Sequence, residues 1–427
     1  MDAVTVVALA LSLAQAPAVQ PASKLTLAEA LEAAEKRSIN MKLVEALERQ
    51  VDEVSAQAWS YYLPQVSASG TLLKNEKKVA IPAGTFGPDE VVIQEELQKS
   101  AQVDVSQVLL APALAFSIRG AHRAEDAGMA NLETARRAVR FGVAQAFYAT
   151  AALAKAVSAS ERLLEIAQRQ EKDAKVRFQA GTIAKVGLLR AEIDRARAEQ
   201  DLKRASNSYE SARLTLADLL DRPADFELVE PPPPAPIVGG AELEERALAA
   251  RPDVVAARAT VDSNRAFRNS YVAGYLPNVA AFGRYSISNS AGFTGDNSTW
   301  IMGLSATWNI FDGGLRESKW REGNAKVDEA ELRLEATEKQ VRLEVRQALL
   351  DQDSAQANAS KAKEQRELAA ENQRLVDVSY KAGASTAVEQ ADATAQLRTA
   401  EFGAQAEELS AQIATLKVLQ IVGAKTP

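Results

Sequence analysis

The sequence predicts a mainly α-helical chain built from two copies of one strand–helix unit, with a small amount of β-structure. Of the 427 residues, 82 are alanine and 25% are charged, whereas only 5% are aromatic. This composition is typical of long, closely packed helices. Short motifs recur in the same order in both halves of the chain, and each half contains two segments in which apolar and polar residues alternate.

The composition also excludes several classes of function. The chain has no cysteine, which excludes disulfides, thiolate catalysis, cysteine-ligated zinc and lipid attachment through cysteine. Its single histidine, His122, excludes a metal site with several histidine ligands from one chain. The formal net charge of −7 argues against a nucleic-acid partner. We therefore expect no metal, no cofactor, no nucleic acid and no enzymatic activity.

The N-terminus is typical of an exported protein. Residues 3–16 are largely apolar, and Ala16-Pro17-Ala18 provides small residues at the spacing of a cleavage site. We predict a signal peptide over residues 1–18, consistent with a bacterial envelope protein. The segment contains Asp2 and no Lys or Arg before the apolar run, so a frayed apolar terminus is the alternative. Beyond Leu13 no apolar run reaches 18 residues, so no transmembrane helix is expected.

The repeated motifs divide the chain into two halves. The motif beginning at Tyr62-Leu63-Pro64 recurs 213 positions later, the segment at 107–114 recurs 201 positions later, and the segment at 178–181 recurs 202 positions later. The first repeat is predicted over residues 19–230 and the second over 241–427. Prolines dominate residues 231–240, which we interpret as a stiff, extended linker.

The sequence pattern predicts the same helices and strands in each repeat. A helix of about 30 residues (26–59 and 242–271) stops at the proline of Tyr-Leu-Pro. Two alternating segments follow, and then a very long helix over 114–178 or 315–380. A glycine turn leads into the last helix. A helix of about 65 residues spans on the order of 100 Å, which suggests a coiled coil or a tube rather than a globular core.

The alternating segments are typical of strands that face lipid. Trp300, Met302, Leu304, Ala306 and Trp308 share one face of a strand. The two tryptophans are about 26 Å apart along a strand, close to the spacing of the aromatic girdles at the two membrane interfaces. A half-buried strand of a soluble sheet is the alternative. Four strands alone cannot close a barrel, and open sheet edges are not tolerated in lipid.

Taken together, these segments resemble the bacterial outer-membrane factor family, the TolC-like exit ducts. The residues that carry the resemblance are the paired Tyr-Leu-Pro-x-Val segments, the segment 308–314 before the long helix and the paired aromatic-x-Ala-Gly turns. The resemblance implies a homotrimer in which each protomer gives four strands to one 12-stranded β-barrel in the outer membrane. It also implies a long α-helical barrel that continues into the periplasm and closes at its lower end.

The resemblance implies passive export. The duct would contact outer-membrane lipid and dock on a periplasmic adaptor protein, which is itself attached to an inner-membrane transporter. We expect the hairpin tips to lie at Gly181 and Gly383, where glycine permits the left-handed conformation of a tight turn. With Thr182 and Ala384, they would meet the adaptor.

The resemblance also implies a gate. Glu389 and Asp392 match two acidic positions at the family's constricted end, and Tyr380 matches an aromatic residue of its closing links. Glu389 and Asp392 are three residues apart and share a helix face, so three copies would form two rings of negative charge that favour cations. Like-charge repulsion would raise their pKa values.

The first repeat provides candidate partners for these carboxylates. Arg190 or Lys185 could supply the cation, whereas Ser385 stands where the family can have an arginine. A solvated helix face is the alternative interpretation of all these charges. For the whole chain, the alternative is a periplasmic coiled-coil adaptor or scaffold without a pore. The sequence does not identify the exported substrate.

Overall fold

The computed structural model describes residues 23–85, 87–88, 90–290 and 296–423, most of which are helical. The predicted signal peptide lies outside the described residues. The helices are α1 (Leu27–Arg37), α2 (Ile39–Ser60), α3 (Pro112–Gln179), α4 (Lys185–Leu219), α5 (Ala241–Ala250), α6 (Pro252–Ala273), α7 (Leu315–Lys381) and α8 (Ala387–Ile421). The strands are β1 (Ser23–Leu25), β2 (Gln65–Lys74), β3 (Val79–Ile81), β4 (Val91–Gln94), β5 (Leu97–Leu110), β6 (Phe226–Leu228), β7 (Asn278–Ser288) and β8 (Ser298–Thr307). Among the described helices, none combines the length and the apolarity that a membrane crossing requires.

The two long helices, α3 and α7, are the largest elements and lie within two residues of their predicted ends. Each forms an antiparallel hairpin with the helix that follows it. The close packing of these helices depends on small residues. A methyl group added to Gly128 of α3 would lie 2.7 Å from a methyl carbon of Val51, and one added to Gly120 would lie 3.0 Å from the ring of Phe267. Larger side chains at these two positions would therefore separate α3 from α2 and α6.

The predicted first helix of each repeat is wrong in one respect, because the structure breaks it into two. In the second repeat the break is at Arg251, whose backbone is extended (φ −77°, ψ 127°) because Pro252 disfavours a helical conformation in the preceding residue. In the first repeat Ser38 is non-helical (φ −51°, ψ 132°) although no proline follows it. Here the helices on either side of Ser38 pack into different apolar clusters.

A two-stranded parallel sheet of β1 and β6 lies beside the main apolar core and was not predicted from the sequence. It ties the start of the described chain to the segment after α4. Leu25 and Phe226, one from each strand, are almost fully buried against Tyr148 and Leu216. Burial of these large side chains joins both strands to the main apolar core.

The proline-rich linker and the residue just before it, Glu230, are held to the helices at three points. Tyr148 of α3 donates a hydrogen bond from its hydroxyl to the carbonyl of Pro232. The buried amide of Gln352 on α7 bonds both the N–H and the C=O of Ile237. Lys155 forms ion pairs with Glu230 at 2.7 Å and with Glu408 of α8 at 3.0 Å. The linker therefore connects elements of both repeats.

The four long strands form one antiparallel sheet in the order β2-β5-β7-β8. Strand β5 has 14 residues and is the longest of the four. Strands β3 and β4 form a separate small hairpin in the segment between β2 and β5. The ion pair between Lys78 and Glu90 lies next to this hairpin.

At the junction between the sheet and α7, one arginine joins three segments of backbone. Arg316 pairs with Asp312, and both side chains are only 12% exposed. Its guanidinium also donates to the carbonyls of Gly274 and Ile310 at 3.0 and 3.1 Å. The ring of Tyr275 lies 4.3 Å from the guanidinium carbon. This residue fixes where the strand ends and the helix begins.

Replacement of Arg316 should therefore destabilise the protein. Arg316→Gln leaves the buried carboxylate of Asp312 unpaired, which costs about 3 kcal/mol. The matched control is Arg333→Gln, because Arg333 and Glu329 form an exposed pair on the same helix that contributes at most about 0.5 kcal/mol. Thermal unfolding in detergent, followed by circular dichroism, should show a clear fall in midpoint for the first variant only. Equal shifts in the two variants would contradict this role of Arg316.

Candidate functional site at the helix tips and the sheet face

The structure places Gly181 and Gly383 at the turns between the paired helices. Both have left-handed backbones, with φ of 71° and 78°. The next residue in each turn, Thr182 or Ala384, donates its N–H to a carbonyl five residues earlier at 2.9 Å. This hydrogen-bond pattern closes a helix C-terminus tightly. All four residues are exposed, so each tip presents backbone and small side chains to its surroundings.

The two tips are joined by Arg177, whose contact the sequence analysis did not identify. Arg177, at the end of α3, donates a hydrogen bond to the carbonyl of Lys381 at 3.0 Å. Its guanidinium carbon lies 4.7 Å from the centre of the Tyr380 ring. Tyr380 is 6% exposed. A cation over an aromatic face and at the C-terminal end of α7 is stabilised by both the ring and the helix dipole.

Further contacts hold the two hairpins together above the tips. Gln170 of α3 donates to the hydroxyl of Thr394 on α8 at 3.0 Å. A methyl group added to Gly187 would lie 4.0 Å from the methyl carbon of Ala387, so the starts of α4 and α8 also lie close together. The tip region is therefore one packed unit of two hairpins, with the Arg177 contact at its end.

Glu389 has a structural role that the sequence analysis missed. It lies in the first turn of α8 and forms a capping box with Thr386. The Thr386 N–H donates to the Glu389 carboxylate at 2.7 Å, and the Glu389 N–H donates to the Thr386 hydroxyl at 3.2 Å. The backbone hydrogen bond, followed by the side-chain one, lowers the pKa of Glu389 below its ordinary value of 4.5. The rise expected from like-charge repulsion concerns three copies around one axis and stays a prediction.

Asp392 lies one turn beyond Glu389 and is exposed. It accepts a hydrogen bond from Gln396 at 2.7 Å. The suggested cationic partners are wrong within the protomer: in the described part of the chain, neither Arg190 nor Lys185 forms an ion pair with Glu389 or Asp392. At the tips, a charged contact between the hairpins comes instead from Arg177 at the end of α3.

Several apolar side chains around the tips are exposed. They lie in the last turns of α3 and α7 and the first turns of α4 and α8, and each is more than a third exposed. They are Val176, Phe178, Val186, Leu189, Val378 and Val388. Exposed apolar residues grouped in this way are typical of a surface that contacts another molecule.

The four-stranded sheet has one apolar face, which is exposed, and one mainly polar face, although Leu73, Phe282 and Ile301 also lie on the latter. The registers align the side chains of the apolar face across neighbouring strands, as in the row Ala68, Val103, Tyr285 and Trp300. The exposed large apolar residues on this face include Val66, Leu72, Val103, Val105, Tyr285, Ile287, Trp300, Met302 and Leu304. On the opposite face Arg284 pairs with Asp104 at 2.5 Å.

The two tryptophans of the predicted girdle lie at opposite ends of β8. Trp300 is the third residue of the strand and is 68% exposed. Trp308 follows the last residue of the strand, is 62% exposed, and donates its indole N–H to the carbonyl of Tyr275 at 3.0 Å. An amphipathic ring with its polar end bonded to backbone suits a boundary between lipid and water.

Comparison with known proteins adds two findings. Residues 243–424 match the family model described as outer membrane efflux protein. A comparison with curated proteins found no match.

Several solved structures share the fold over nearly the whole chain. The outer membrane protein VceC of Vibrio cholerae has a TM-score of 0.75 at 16% identity, covering 93% of this chain and 96% of its own. The CmeC outer membrane channel of Campylobacter jejuni has a TM-score of 0.75 at 17% identity, covering 93% of this chain and 85% of its own. The open state of the MtrE outer membrane channel of Neisseria gonorrhoeae has a TM-score of 0.73 at 19% identity, covering 93% of this chain and 89% of its own. These structural neighbours are outer-membrane proteins, and two are described as channels.

The capping box leads to a prediction about how the stability of the start of α8 depends on pH. Folding lowers the pKa of Glu389. The stability that its carboxylate adds to the start of α8 is therefore present above the pKa of the unfolded chain and is lost as pH falls through the pKa of the folded chain, below 4.5. Protection of the amides at 387–391, corrected for intrinsic exchange rates, should therefore fall in acid. Glu389→Gln should remove this pH dependence, since a neutral amide can also complete a capping box.

The first hairpin provides the internal control for this measurement. Helix α4 begins at Ala184 without a side-chain cap. The amides at 185–189 should therefore show no corresponding loss of protection. Equal losses at both tips would attribute the effect to general acid unfolding instead of Glu389.

Proposed function

We propose, from the premise that the chain is a member of the outer-membrane factor family, that it is the exit duct of a tripartite efflux or type I secretion system. Three copies would share one 12-stranded barrel in the outer membrane, and their long helices would continue it as an α-helical barrel through the periplasm. Substrate would pass passively from a periplasmic adaptor and an inner-membrane transporter to the exterior. The helix tips would form the gate.

The exposed apolar face of the sheet is the observation that carries this proposal. It places nine large apolar side chains on one side of four adjacent strands. A water-soluble monomer rarely exposes so large an apolar patch. Lipid would cover this face, and the polar face with Arg284 and Asp104 would then line the lumen. A scaffold or adaptor without a pore would leave the apolar face in water.

The proposed gate uses the contact between the two hairpins. If the tips close the duct, opening requires the end of α3 to move relative to the end of α7. Arg177 joins these ends through the Lys381 carbonyl and the Tyr380 ring. A cation–π contact of this kind contributes on the order of 1 kcal/mol, which is small enough for an adaptor to overcome. The same tips, with Gly181, Thr182, Gly383 and Ala384 exposed, would be the adaptor contact.

The proposed selectivity rests on the acidic residues beyond the tip of the second hairpin. Glu389 and Asp392 are both exposed in the protomer, and no cation of the described chain neutralises them. Three copies around a closed axis would bring six carboxylates to the constriction. The resulting negative potential would concentrate cations there.

Removal of the Arg177 contact should open the duct. In planar bilayers Arg177→Ala should raise the conductance, because it removes the link between α3 and α7. Tyr380→Leu should have the same effect. Tyr380→Phe should not, because the aromatic face that Arg177 covers is kept.

Lys175→Ala is the matched charge control, since Lys175 is an exposed cation two residues before Arg177. It should conduct like the unmodified protein. If Lys175→Ala and Arg177→Ala raised conductance equally, loss of charge alone would be responsible, and the proposed role of the Arg177 contact in the gate would be refuted.

Neutralisation of the acidic pair should reduce cation preference. With Glu389→Gln and Asp392→Asn together, the reversal potential in a salt gradient should move towards zero and block by divalent cations should weaken. Gln at 389 keeps the capping box, so the helix start is preserved. The charge-matched control is Glu329→Gln with Glu335→Gln, roughly 70 Å away along α7. Selectivity unchanged by the tip substitutions would refute the acidic rings.

A further inference from the structure

We propose that strand β8 of one copy pairs with strand β2 of the adjacent copy in one specific register, with Thr307 opposite Ser69 and Leu304 opposite Leu72. The proposal rests on the shared barrel proposed above, in which the edge strands of adjacent copies must pair, and adds the register of that pairing. It follows from the internal repeat, which relates strand pairs within the protomer to the pair that must form between protomers.

The sheet leaves two edges for this contact. Within the described residues, β2 and β8 each pair with one neighbour only. All neighbouring strands of the sheet are antiparallel, so β2 and β8 also run in opposite directions. When β8 of one copy lies beside β2 of the next, the antiparallel pattern therefore continues without interruption. Pairing of such edges satisfies backbone groups that lipid cannot.

The repeat reproduces its own hairpin register. Positions in β2 map to β7 by adding 213, and positions in β5 map to β8 by adding 201. The first hairpin pairs Gln65 with Ser106. The mapping turns this pair into Asn278 and Thr307, which are paired in the second hairpin. The two sequence offsets thus describe a real equivalence of strand registers, not only of motifs.

The same mapping applied to the pair β5–β7 gives the register between copies. Within the protomer Ser106 pairs with Phe282. Their equivalents are Thr307 of β8 and Ser69 of β2, which cannot pair within one copy because they lie on opposite edges of the sheet. The pair Val103 and Tyr285 likewise becomes Leu304 and Leu72. The junction between repeats inside the chain is therefore the template for the junction between copies.

This register keeps the two faces of the sheet separate. Leu304 and Leu72 both belong to the exposed apolar face, whereas Ser305 would lie opposite Thr71 on the polar face. A shift by one residue would place Leu304 opposite Thr71 or Leu73 and turn the apolar side chains of one strand to the polar side. The mapping therefore selects a register that the alternation of apolar and polar residues also favours.

The register also brings together two exposed apolar residues, one after the end of β8 and one near the start of β2. The pair Leu110 and Val279 maps to Phe311 and Val66 of the adjacent copy. In the protomer Phe311 is 81% exposed and Val66 is 68% exposed. Contact between them would cover both apolar side chains, and Trp308 would lie opposite Ala68.

Cysteine cross-linking tests the register, since the chain has no cysteine of its own. Four exposed positions on the polar face suffice. The matched pairs are Ser305→Cys with Thr71→Cys and Thr307→Cys with Ser69→Cys. The mismatched pairs are Ser305→Cys with Ser69→Cys and Thr307→Cys with Thr71→Cys, which use the same four sites displaced by two residues.

Directly opposite residues have Cα atoms within the range that a disulfide spans, whereas diagonal neighbours lie beyond it. Oxidised matched pairs should therefore migrate at about three times the chain mass on a denaturing gel and return to single chains on reduction. Mismatched pairs and single substitutions should remain single chains. Cross-linking of the mismatched pairs instead, or of a single substitution, would overturn the register.

An intrachain pair controls for oxidation at this depth of the sheet. Ser286 and Thr299 are opposite each other in β7 and β8, with their hydroxyls 2.8 Å apart. Ser286→Cys with Thr299→Cys should lose its free thiols without any gain in mass. If this control oxidises and native mass spectrometry shows trimers, matched pairs that stay unlinked refute the register but not the duct. If native mass spectrometry shows single chains, the shared barrel itself fails.

Discussion

Close contact between long helices through small side chains is the constraint on which the rest of the structure depends. Helices α3 and α7 are 68 and 67 residues long, and a globular core could cover only part of them. Alanine supplies seven of the 16 buried residues of α3, and Gly120 and Gly128 lie where even a methyl group would meet a neighbour. Small residues lose little side-chain entropy and allow short distances between helix axes. The scarcity of large aromatic residues is therefore a requirement of this architecture.

An arginine contact lies at each end of helix α7. At the upper end Arg316 binds Asp312 and two backbone carbonyls, and this fixes the direction in which α7 leaves the sheet. At the lower end Arg177 covers the Tyr380 ring. The upper arginine is buried in a network of four partners, whereas the lower one makes two contacts at an exposed tip. This difference fixes the sheet end of α7 more strongly than its tip, which suits the proposed gate at the helix tips.

The sequence predicts those features that arise from local signals. The long helices and four strands follow from periodicity, and the tip turns follow from Gly181 and Gly383. The break at Arg251 also had a local signal, since Pro252 follows it, and so did the capping box, since Thr386 and Glu389 have the required spacing. The break at Ser38 had none, because it arises when neighbouring helices pack into different clusters. The contact of Arg177 with Tyr380 and the pairing of β1 with β6 each join residues about 200 positions apart, which no local pattern can indicate.

The central claim is that three copies share one membrane-embedded sheet, and the mass of the detergent-extracted protein tests it most directly. The protein would be extracted from the outer-membrane fraction, and its mass would be measured by light scattering with correction for bound detergent. We predict a stable particle of about three times the mature chain mass. A monomer or dimer that needs no detergent to remain in solution would contradict the shared barrel and would support a periplasmic helical scaffold.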